Sequence, residues 1–281
     1  MQAKISVVIP TFERSEQLEK LLISLKKSCL KEIAVEILCV ANPDLSLAQK
    51  RNYGYSQSNG DFILFIDDDN ELTFDVFQNL IMVFNDERVG IAGLTACYKQ
   101  APNRICDAGA NRFLISGFTS SPFFNWYYMD MLDRTDGCPY EVDEAANAFM
   151  VRREVFRKIG WFDEKRFPID LDEADFCLRA KQAGYKVIYV PRAVTYHNSF
   201  TFSRLPDFRR IKNAFYVGRN RILFQKKHLT PIQFFIFLVI FLWLFILLYC
   251  LSLVLRRKFL MIFYFLKGVW YGLTNNTTNI Y

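Results

Sequence analysis

The stretch Gly60-Asp61-Phe62-Ile63-Leu64-Phe65-Ile66-Asp67-Asp68-Asp69 decides how the chain folds and where its chemistry lies. Its five apolar residues, 62–66, have the length and composition typical of a buried strand. Three carboxylates follow directly. Adjacent carboxylates at the end of a buried strand repel one another and lose hydration, which a divalent ion such as Mn²⁺ or Mg²⁺ offsets. The stretch therefore predicts a metal site, and a solvated acidic turn is the alternative.

Further apolar runs predict strands on both sides of this stretch. They lie at Ile5–Pro10, Val35–Val40 and Gly90–Leu94, and apolar residues at helical spacing fill the segments between them. Strands that alternate with helices predict an α/β fold with a mostly parallel, Rossmann-like sheet flanked by helices. Ligands of such sheets bind at the carboxyl ends of the strands, which is where Asp67 stands.

The second half of the chain is less regular. Lys99–Asp143 carries Gly, Pro and a cluster of aromatic residues, and we interpret it as loops that line a substrate groove, or as hydrophobic packing. Val151–Ile159 is predicted to be helical, and a further helix is predicted over Glu173–Gly184, because glycine suits the position after a helix. Val187–Val190 is a predicted strand that ends at Pro191.

A second acidic cluster, Asp172-Glu173-Ala174-Asp175, begins one of these helices. The positive end of the helix dipole favours carboxylates, so capping acids alone would explain the cluster. The functional interpretation is a general base, a carboxylate that takes a proton from a hydroxyl of a bound substrate. Glu173 or Asp172 would serve. His197, downstream, is a candidate metal ligand, although a lone histidine is more often structural.

The segment Ile232–Leu255 contains no charged residue and is long enough to cross a hydrocarbon core of roughly 30 Å as a helix. It predicts either one membrane span or an interfacial arrangement together with Phe259–Leu273, and a buried core helix is the remaining alternative. Lys and Arg flank it on both sides, so the positive-inside rule gives no orientation. Attraction to anionic headgroups explains these cations better than nucleic-acid binding.

The remaining bulk properties describe an ordinary intracellular protein. The chain has 281 residues, a net charge of +6 and seven cysteines. No Cys-x-x-Cys pair occurs, so reduced thiols are expected. Met1–Lys4 leads directly into the first predicted strand without the apolar region of a signal peptide. We therefore expect the soluble part to be cytoplasmic.

Eight short motifs and a histidine follow one another along residues 5–221. In chain order they are Val7–Arg14, Arg51–Gly54, Gly60–Asp69, Ala148–Phe156, Ile159–Glu164, Asp172–Arg179, Gly184–Lys186, then His197, and Tyr216–Arg221. No motif is decisive alone, but their order and spacing are specific. Together they resemble the family-two glycosyltransferases, which are inverting enzymes of the GT-A fold.

The resemblance implies a role for each acidic residue. The implied ligands of Mn²⁺ or Mg²⁺ are Asp67, Asp69 and His197. Asp67 and Asp69 would hold the metal and the donor diphosphate, with Asp69 the closer metal ligand, and Asp68 would lie near the ribose. Glu173 stands at the position of the catalytic base, with Asp172 as the acidic residue before it. The remaining implied nucleotide contacts are Pro10, Thr11, Glu13, Asn42 and Arg51.

The predicted function is metal-dependent transfer of a hexose or deoxyhexose, with inversion, from a nucleotide-sugar donor. The expected acceptor is lipid-linked or a glycan in cell-surface glycan biosynthesis, and the expected location is the cell membrane with the catalytic domain in the cytoplasm. The predicted domains are residues 1–228 for catalysis, 229–258 for a transmembrane helix and 259–281 for an interfacial amphipathic helix and tail. A homo-oligomer is a candidate assembly, and no nucleic-acid partner is expected.

One departure from the family pattern supports an alternative. The family often has an aspartate at the end of the second strand, where this chain has Ala41. A catalytically silent, nucleotide-sugar-binding subunit of a membrane complex would tolerate that change. A nucleotidyltransferase is a third hypothesis, but the second acidic cluster and His197 argue against it.

Overall fold

The computed structural model describes residues 4–12, 16–28, 33–198, 207–275 and 277, and it divides the chain into two compact units. The first unit comprises Met1–Asn111, Ser120–Asp163 and Glu173–Ser199. The second comprises Arg112–Thr119, Glu164–Asp172 and Phe200–Tyr281.

A nine-stranded sheet forms the centre of the first unit. Its strands are β1 (Lys4–Pro10), β2 (Ala34–Val40), β3 (Phe62–Ile66), β4 (Asn70–Leu72), β5 (Val89–Tyr98), β6 (Ala101–Asp107), β9 (Tyr140–Glu141), β10 (Ala148–Arg152) and β11 (Lys186–His197). The main path is β2-β1-β3-β10-β5-β11-β4, with β6 on β5 and β9 on β11. Strands β2, β1, β3, β5 and β11 share one direction. The α/β fold with a mainly parallel sheet is confirmed.

Six helices accompany the sheet. They are α1 (Glu16–Ser28), α2 (Leu47–Gln57), α3 (Val76–Val83), α4 (Tyr128–Thr135), α5 (Arg153–Ile159) and α6 (Asp172–Gln182). Helix α2 begins at a capping box, in which the Ser46 hydroxyl accepts from the Gln49 N–H and the Gln49 side chain accepts from the Ser46 N–H. This reciprocal cap satisfies two donors of the first turn. It fixes the start of the helix that carries Arg51.

Strand β3 is buried on both faces, as its apolar run predicts. Ile63 and Phe65 pack into one hydrophobic cluster, and Leu64 and Ile66 pack into another on the opposite face. Successive side chains of a strand point to opposite faces.

Strand β10 corrects the helix predicted from Val151. Ala148–Arg152 forms an antiparallel strand between β3 and β5, and helix α5 begins only at Arg153. Phe149, Met150 and Val151 are fully buried. A short apolar run fits either a strand or a buried helix, and the space between two strands of the sheet decides for the strand.

Strand β11 continues past the predicted end at Pro191 to His197. Its register shifts between Val190 and Val194, so the proline lies in an irregular part of the ladder, where a residue without an N–H is tolerated. The Pro191 carbonyl accepts from the Thr95 hydroxyl at 3.0 Å. This continuation carries His197 to the edge of the sheet where the acidic residues lie.

The segment interpreted as loops, Lys99–Asp143, contains regular structure. Beyond β6, α4 and β9, it includes a two-stranded sheet of β7 (Asn111–Phe113) and β8 (Phe118–Ser120). The aromatic cluster partly packs inward, since the Phe123 ring contacts the rings of Trp126 and Tyr140. The packing alternative therefore holds for Phe123.

The second unit is built on helices α7 (Asp207–His228) and α10 (Phe259–Leu273) and the continuous helical segment α8 (Pro231–Ile236), π-helical turn (Phe237–Phe241) and α9 (Leu242–Leu255). Of the described residues, only Pro231–Leu255 forms a helix long and apolar enough to cross a membrane, and little of it is buried. Helices α7 and α10 approach closely, because a Cβ added at Gly268 would lie 2.0 Å from the Phe215 carbonyl oxygen.

Candidate active site

The three consecutive carboxylates after β3 engage three different partners. The Asp67 carboxylate lies 3.4 Å from the Arg51 guanidinium, and the Asp69 carboxylate lies 3.2 Å from His197 Nε2. Asp68 accepts a hydrogen bond from the Thr11 hydroxyl. Each carboxylate of the turn that follows β3 therefore has a polar partner of its own.

Asp67 and Glu173 share one cation. Arg51 is almost fully buried on α2, and its Nη2 donates to Glu173 Oε1 at 2.5 Å as well as lying beside Asp67. Burial raises the pKa of Asp67 to about 6 and that of Glu173 to about 7, and in both cases Arg51 opposes the rise. Sequence positions 51, 67 and 173 thus meet in one electrostatic cluster.

Glu173 keeps one oxygen for further chemistry. Its Oε1 accepts from Arg51 and from the Asn147 N–H at 3.2 Å. Its Oε2 accepts no hydrogen bond from any residue that the structure describes, and 16% of the side chain is exposed. A carboxylate held by one oxygen, with a pKa near neutrality and the other oxygen reachable, suits proton abstraction.

Asn147 and Asn70 brace the loop ends around these groups. Asn147 adopts a left-handed backbone conformation with φ 64°, which asparagine tolerates better than most residues. The two side-chain amides bond to each other at 3.1 and 3.3 Å. Asn70 also donates to the Asp67 carbonyl at 3.0 Å and lies 3.4 Å from the Asp69 carboxylate. Together they fix the direction of the acidic turn.

Asp69 and His197 form a second pair. Burial lowers the pKa of His197, but the hydrogen bond and negative charge of Asp69 and the contact with Cys106 raise it to about 10. The Cys106 sulfur lies 3.9 Å from His197 Nδ1. The ring is therefore oriented from both sides, with Nε2 directed at Asp69.

The Asp69–His197 pair fits a divalent ion. Within the described part of the chain, no three His, Cys, Asp or Glu side chains are grouped as metal ligands. An ion that binds a diphosphate takes only one or two protein carboxylates, and phosphate and water oxygens complete its shell. Neighbouring ligands of an octahedral ion lie about 3.0 Å apart, close to the 3.2 Å between Asp69 Oδ1 and His197 Nε2. Asp67, the third predicted ligand, is paired with Arg51 instead.

A third group lies on the side of strand β1. Lys50 is fully buried, donates from Nζ to the Thr11 carbonyl at 2.8 Å and lies 3.5 Å from the centre of the Phe12 ring. Burial lowers the pKa of Lys50, and the nearby Asp68 opposes this. Burial also raises the pKa of Asp68. A cation, a hydroxyl and a carboxylate thus stand together beside the exposed Phe12 ring.

The other predicted nucleotide contacts are less engaged. Pro10 is buried at the end of β1. Asn42 is exposed, and its side chain accepts from the Asp44 N–H at 2.9 Å. Ala41 and Thr11 line an adjacent cavity of about 440 Å³ together with apolar residues of α1. Glu13 lies outside the described residues. Asp172 is buried and belongs to the second unit, whereas Glu173 begins the part of α6 in the first.

Sequence reasoning missed several residues of the site. They are Lys50, Asn70, Cys106, Asp107, Glu144 and Asn147. Lys50 was open to detection, since it precedes Arg51 on the same helix. The others come from segments without a recognised motif, and only the sheet brings them to this edge.

Asp107, at the end of β6, is the most unusual of the missed residues. Its Oδ1 accepts from the Gly109 N–H at 3.2 Å, while its buried Oδ2 has no hydrogen-bond partner among the described residues. Burial and the charge of Glu144 raise the pKa of Asp107 to about 7, and His197 opposes the rise. A buried carboxylate oxygen without a partner is costly, and a water, an ion or a catalytic role can account for it.

Comparison with known proteins now identifies the family. The sequence profile described as glycosyl transferase family group 2 matches residues 62–274, which is more than half of the chain. The chain therefore belongs to this family. No curated protein matches the chain in sequence.

Solved structures share the fold of the chain. A mannosyltransferase from Pyrobaculum calidifontis, in complex with GDP-Man and Mn²⁺, has a TM-score of 0.59 and 13% identity, covering 98% of this chain and 88% of that one. GalNAc-T7 with UDP, GalNAc and Mn²⁺ has a TM-score of 0.56 and 14% identity over 82% of this chain, which spans 52% of that structure. S. aureus TarS 1-349 has a TM-score of 0.50 and 13% identity, covering 84% and 70%. The chain has the GT-A fold.

Proposed function

We propose that the protein transfers a hexose or deoxyhexose from a nucleotide-sugar donor to a lipid-linked or glycan acceptor, with inversion and with a divalent metal ion. The observation that carries the proposal is the cluster of Arg51, Asp67 and Glu173 beside the Asp69–His197 pair. These contacts support the assignment of Glu173 as the proton acceptor and of Asp69 and His197 as the diphosphate-binding group. Family membership and the fold support the donor class.

Glu173 is the proposed base. Its reachable oxygen takes the proton from the acceptor hydroxyl as that oxygen bonds to the anomeric carbon. The bond from this carbon to the diphosphate oxygen breaks, and the electron pair leaves with the nucleoside diphosphate. One displacement at the face opposite the leaving group inverts the configuration, through an oxocarbenium-like state. Arg51 orients Glu173 through the 2.5 Å contact.

Asp69 and His197 would hold Mn²⁺ or Mg²⁺, which supplies positive charge beside the leaving diphosphate. Asp67 is close to Asp69 and His197 and pairs with Arg51. Its role as a third metal ligand stays a prediction. Thr11, Lys50 and Asp68 lie on the side of β1, where we place the ribose and base. The Phe12 ring, 57% exposed, offers a flat surface for stacking.

Location at the membrane completes the proposal. The apolar helix Pro231–Leu255 is the observation behind it. We place residues 1–228 in a cytoplasmic catalytic domain, followed by the membrane segment 229–258 and the interfacial segment 259–281. The function would belong to cell-surface glycan assembly, where acceptors are held at the same membrane.

The alternative of a catalytically silent subunit is favoured by one feature. Ala41 offers no carboxylate to a bound base, and the cavity beside it is lined mainly by apolar residues. Such a subunit would bind the donor without turning it over.

The test is turnover by the full chain in lipid nanodiscs. Release of nucleoside diphosphate from UDP-, GDP- and dTDP-sugars is measured with Mn²⁺ and membrane-extracted acceptors. We expect one donor class to be consumed, and Glu173→Gln to lower kcat by about 10²–10⁴-fold. The matched control is Glu154→Gln, at an exposed position on α5. If the wild type binds a donor but does not turn it over, the enzyme hypothesis is wrong and the silent-subunit hypothesis takes its place.

A further inference from the structure

The apolar helix Pro231–Leu255 has two different faces. Its exposed large residues recur every three or four positions, as on one side of a helix. They are Ile232, Phe235, Val239, Ile240, Trp243, Leu244, Leu247, Leu248, Leu251, Val254 and Leu255. Between them, Phe237, Leu242 and Leu253 are buried in the cluster that also holds residues of α7 and α10. A helix surrounded by lipid has no such packed side.

The packed side lies against helices of its own unit. The Arg221 guanidinium of α7 lies 4.8 Å from the Phe245 ring, which is in the second half of the apolar helix. The Tyr249 ring lies 4.4 Å from the Phe265 ring of α10. A Cβ added at Gly218 of α7 would lie 2.5 Å from the Phe265 carbonyl oxygen. The second half of the apolar helix is therefore linked through α10 to the middle of α7.

This packing is incompatible with a perpendicular span. A helix of 25 residues is about 37 Å long, so a span would place Tyr249 deep in the far leaflet or beyond it. Its neighbours on α7 would have to enter the bilayer with it. Helix α7 carries seven Lys and Arg in 22 residues, and such residues are excluded from hydrocarbon.

Charge indicates what covers the exposed face. Residues 208–281 contain eleven Lys and Arg and no Asp or Glu, so residues 1–207 carry a net charge of −5 in a chain of +6. The turn after the apolar helix, Arg256-Arg257-Lys258, is cationic, and so are Lys226 and Lys227 before it. An apolar face bounded by cations at both ends matches a bilayer surface with anionic headgroups. Trp243 and Trp270 are exposed on the two apolar helices, and tryptophan favours this interface.

We propose that the segment Pro231–Leu273 is monotopic. The apolar helix and α10 insert side-on into one leaflet of an anionic bilayer, and both ends of the apolar helix stay on the side of α7. This inference rests on the membrane location given under the proposed function, and it replaces the single span with a surface-inserted hairpin.

The depth of Trp243 tests the proposal, because this residue is the midpoint of the helix. The full chain is reconstituted in vesicles of phosphatidylcholine and phosphatidylglycerol, with Trp126, Trp161 and Trp270 replaced by Phe. Quenching by lipids brominated near the headgroup is compared with quenching by lipids brominated near the chain end. A monotopic helix lies about 5–10 Å into the leaflet, so we expect the shallow bromines to quench more. The control chain keeps only Trp161, which lies in the first unit.

A second measurement determines on which side of the bilayer the C-terminus lies. A C-terminal epitope tag should be cleaved by protease added to the same face of sealed vesicles as the catalytic domain. Stronger quenching by deep bromines with a protected tag would overturn the monotopic arrangement and leave membrane binding intact. Absence of quenching, with a dimer in solution, would assign the apolar face to a second copy and overturn the membrane location too. Turnover is measured in a separate experiment, so a failure of the proposed topology can be distinguished from a failure of the proposed activity.

Charge dependence sharpens the result. Replacing Arg256, Arg257 and Lys258 by Gln should weaken binding to anionic vesicles by about fivefold per charge. Binding to pure phosphatidylcholine should change little. Equal loss on both vesicle types would contradict the role given to anionic headgroups. The matched control is Lys20→Gln, at a lysine of α1 in the first unit that pairs with Glu16.

Discussion

The acidic centre and the C-terminal apolar helices are specified by the sequence in different ways, the first by a short motif and the second by composition. At the acidic centre, a short motif at the end of β3 sets the chemistry, and residues distant in sequence, such as Arg51 and Glu173, complete it. In the apolar helices, composition over 25 residues sets the solvent preference, and no single residue is decisive. A short motif shows where a site lies. Apolar composition shows that a helix prefers an apolar environment, but it does not show which face of the helix contacts that environment.

The two regions also differ in how they tolerate polar groups. The acidic centre concentrates partly buried carboxylates whose pKa values are raised to about 6 or 7, at a cost to stability. The C-terminal cluster is apolar and is held by close backbone packing at Gly218 and Gly268. We therefore expect substitutions in the first region to have effects that depend on pH, on activity or on stability, and substitutions in the second to change stability through packing.

After the loss of the base itself, the largest effect is expected at Arg51. Burial raises the pKa of Glu173 to about 7, and Arg51 lowers it. A base must be ionised, so the transfer rate of the wild type should rise with pH to a plateau above about 7. In Arg51→Gln the lowering cation is lost, and the ascending limb should move to higher pH, with kcat at pH 7 reduced by tenfold or more. The pH profile of kcat is the measurement.

The control for Arg51 is Arg134→Gln, at an exposed arginine of α4. It should leave both the rate and the profile unchanged. An Arg51→Gln enzyme with a lower rate but the same midpoint would show that Arg51 does not set the ionisation of the base.

The next effect concerns the second unit. Gly268→Leu forces a side chain into space where even a Cβ would lie 2.0 Å from the Phe215 carbonyl oxygen. Overpacking of this kind costs about 1–3 kcal/mol or more, so the apparent Tm should fall by several degrees. Leu266→Ala, at an exposed position on the same helix, should change Tm little. Equal Tm values for the two variants would refute the α7–α10 packing.

The smallest effect is expected at Asp107. Its pKa is near 4 when unfolded and is raised to about 7 when folded, chiefly by burial. The folded state thus binds this proton more tightly, and its stability falls as pH rises from about 4 to about 7. Asp107→Asn should raise the free energy of unfolding by about 1–3 kcal/mol at pH 8. It should give no gain near pH 4, where Asp107 is protonated.

Asp130→Asn, at an exposed residue of α4, is the control for Asp107. A gain for Asp107→Asn that is the same at both pH values would contradict the assignment of a buried, titrating carboxylate. Urea unfolding, monitored by circular dichroism, gives the free energy of unfolding at each of the two pH values.

Sequence reasoning was strongest where a pattern is local. The run Phe62–Ile66 gave the strand with its observed bounds, and the alternation of elements gave the fold class. It failed at β10 because Phe149–Val151 is apolar in a way that fits helix and strand alike. It ended β11 too early because a register shift accommodates Pro191. Local propensity does not report such tertiary pairing.

The site shows the same limit. Asp67, Asp69, Glu173 and His197 were predicted from motifs, and the structure brings them to one edge of the sheet. The division of the three aspartates among Arg51, Thr11 and His197 was not predictable, because it depends on the conformation of the turn that follows β3. Asp107 carries no motif, and its proximity to the site depends on the pairing of β6 with β5.

The central claim is that Asp69 and His197 bind the metal that the nucleotide requires. Mn²⁺ binding is measured by the loss of the electron paramagnetic resonance signal of free Mn²⁺, with UDP, GDP, dTDP or CDP present. The account predicts that Asp69→Asn and His197→Ala weaken nucleotide-dependent Mn²⁺ binding at least tenfold, whereas Asp75→Asn, at an exposed aspartate, does not. Wild-type affinity in a folded Asp69→Asn protein would contradict it.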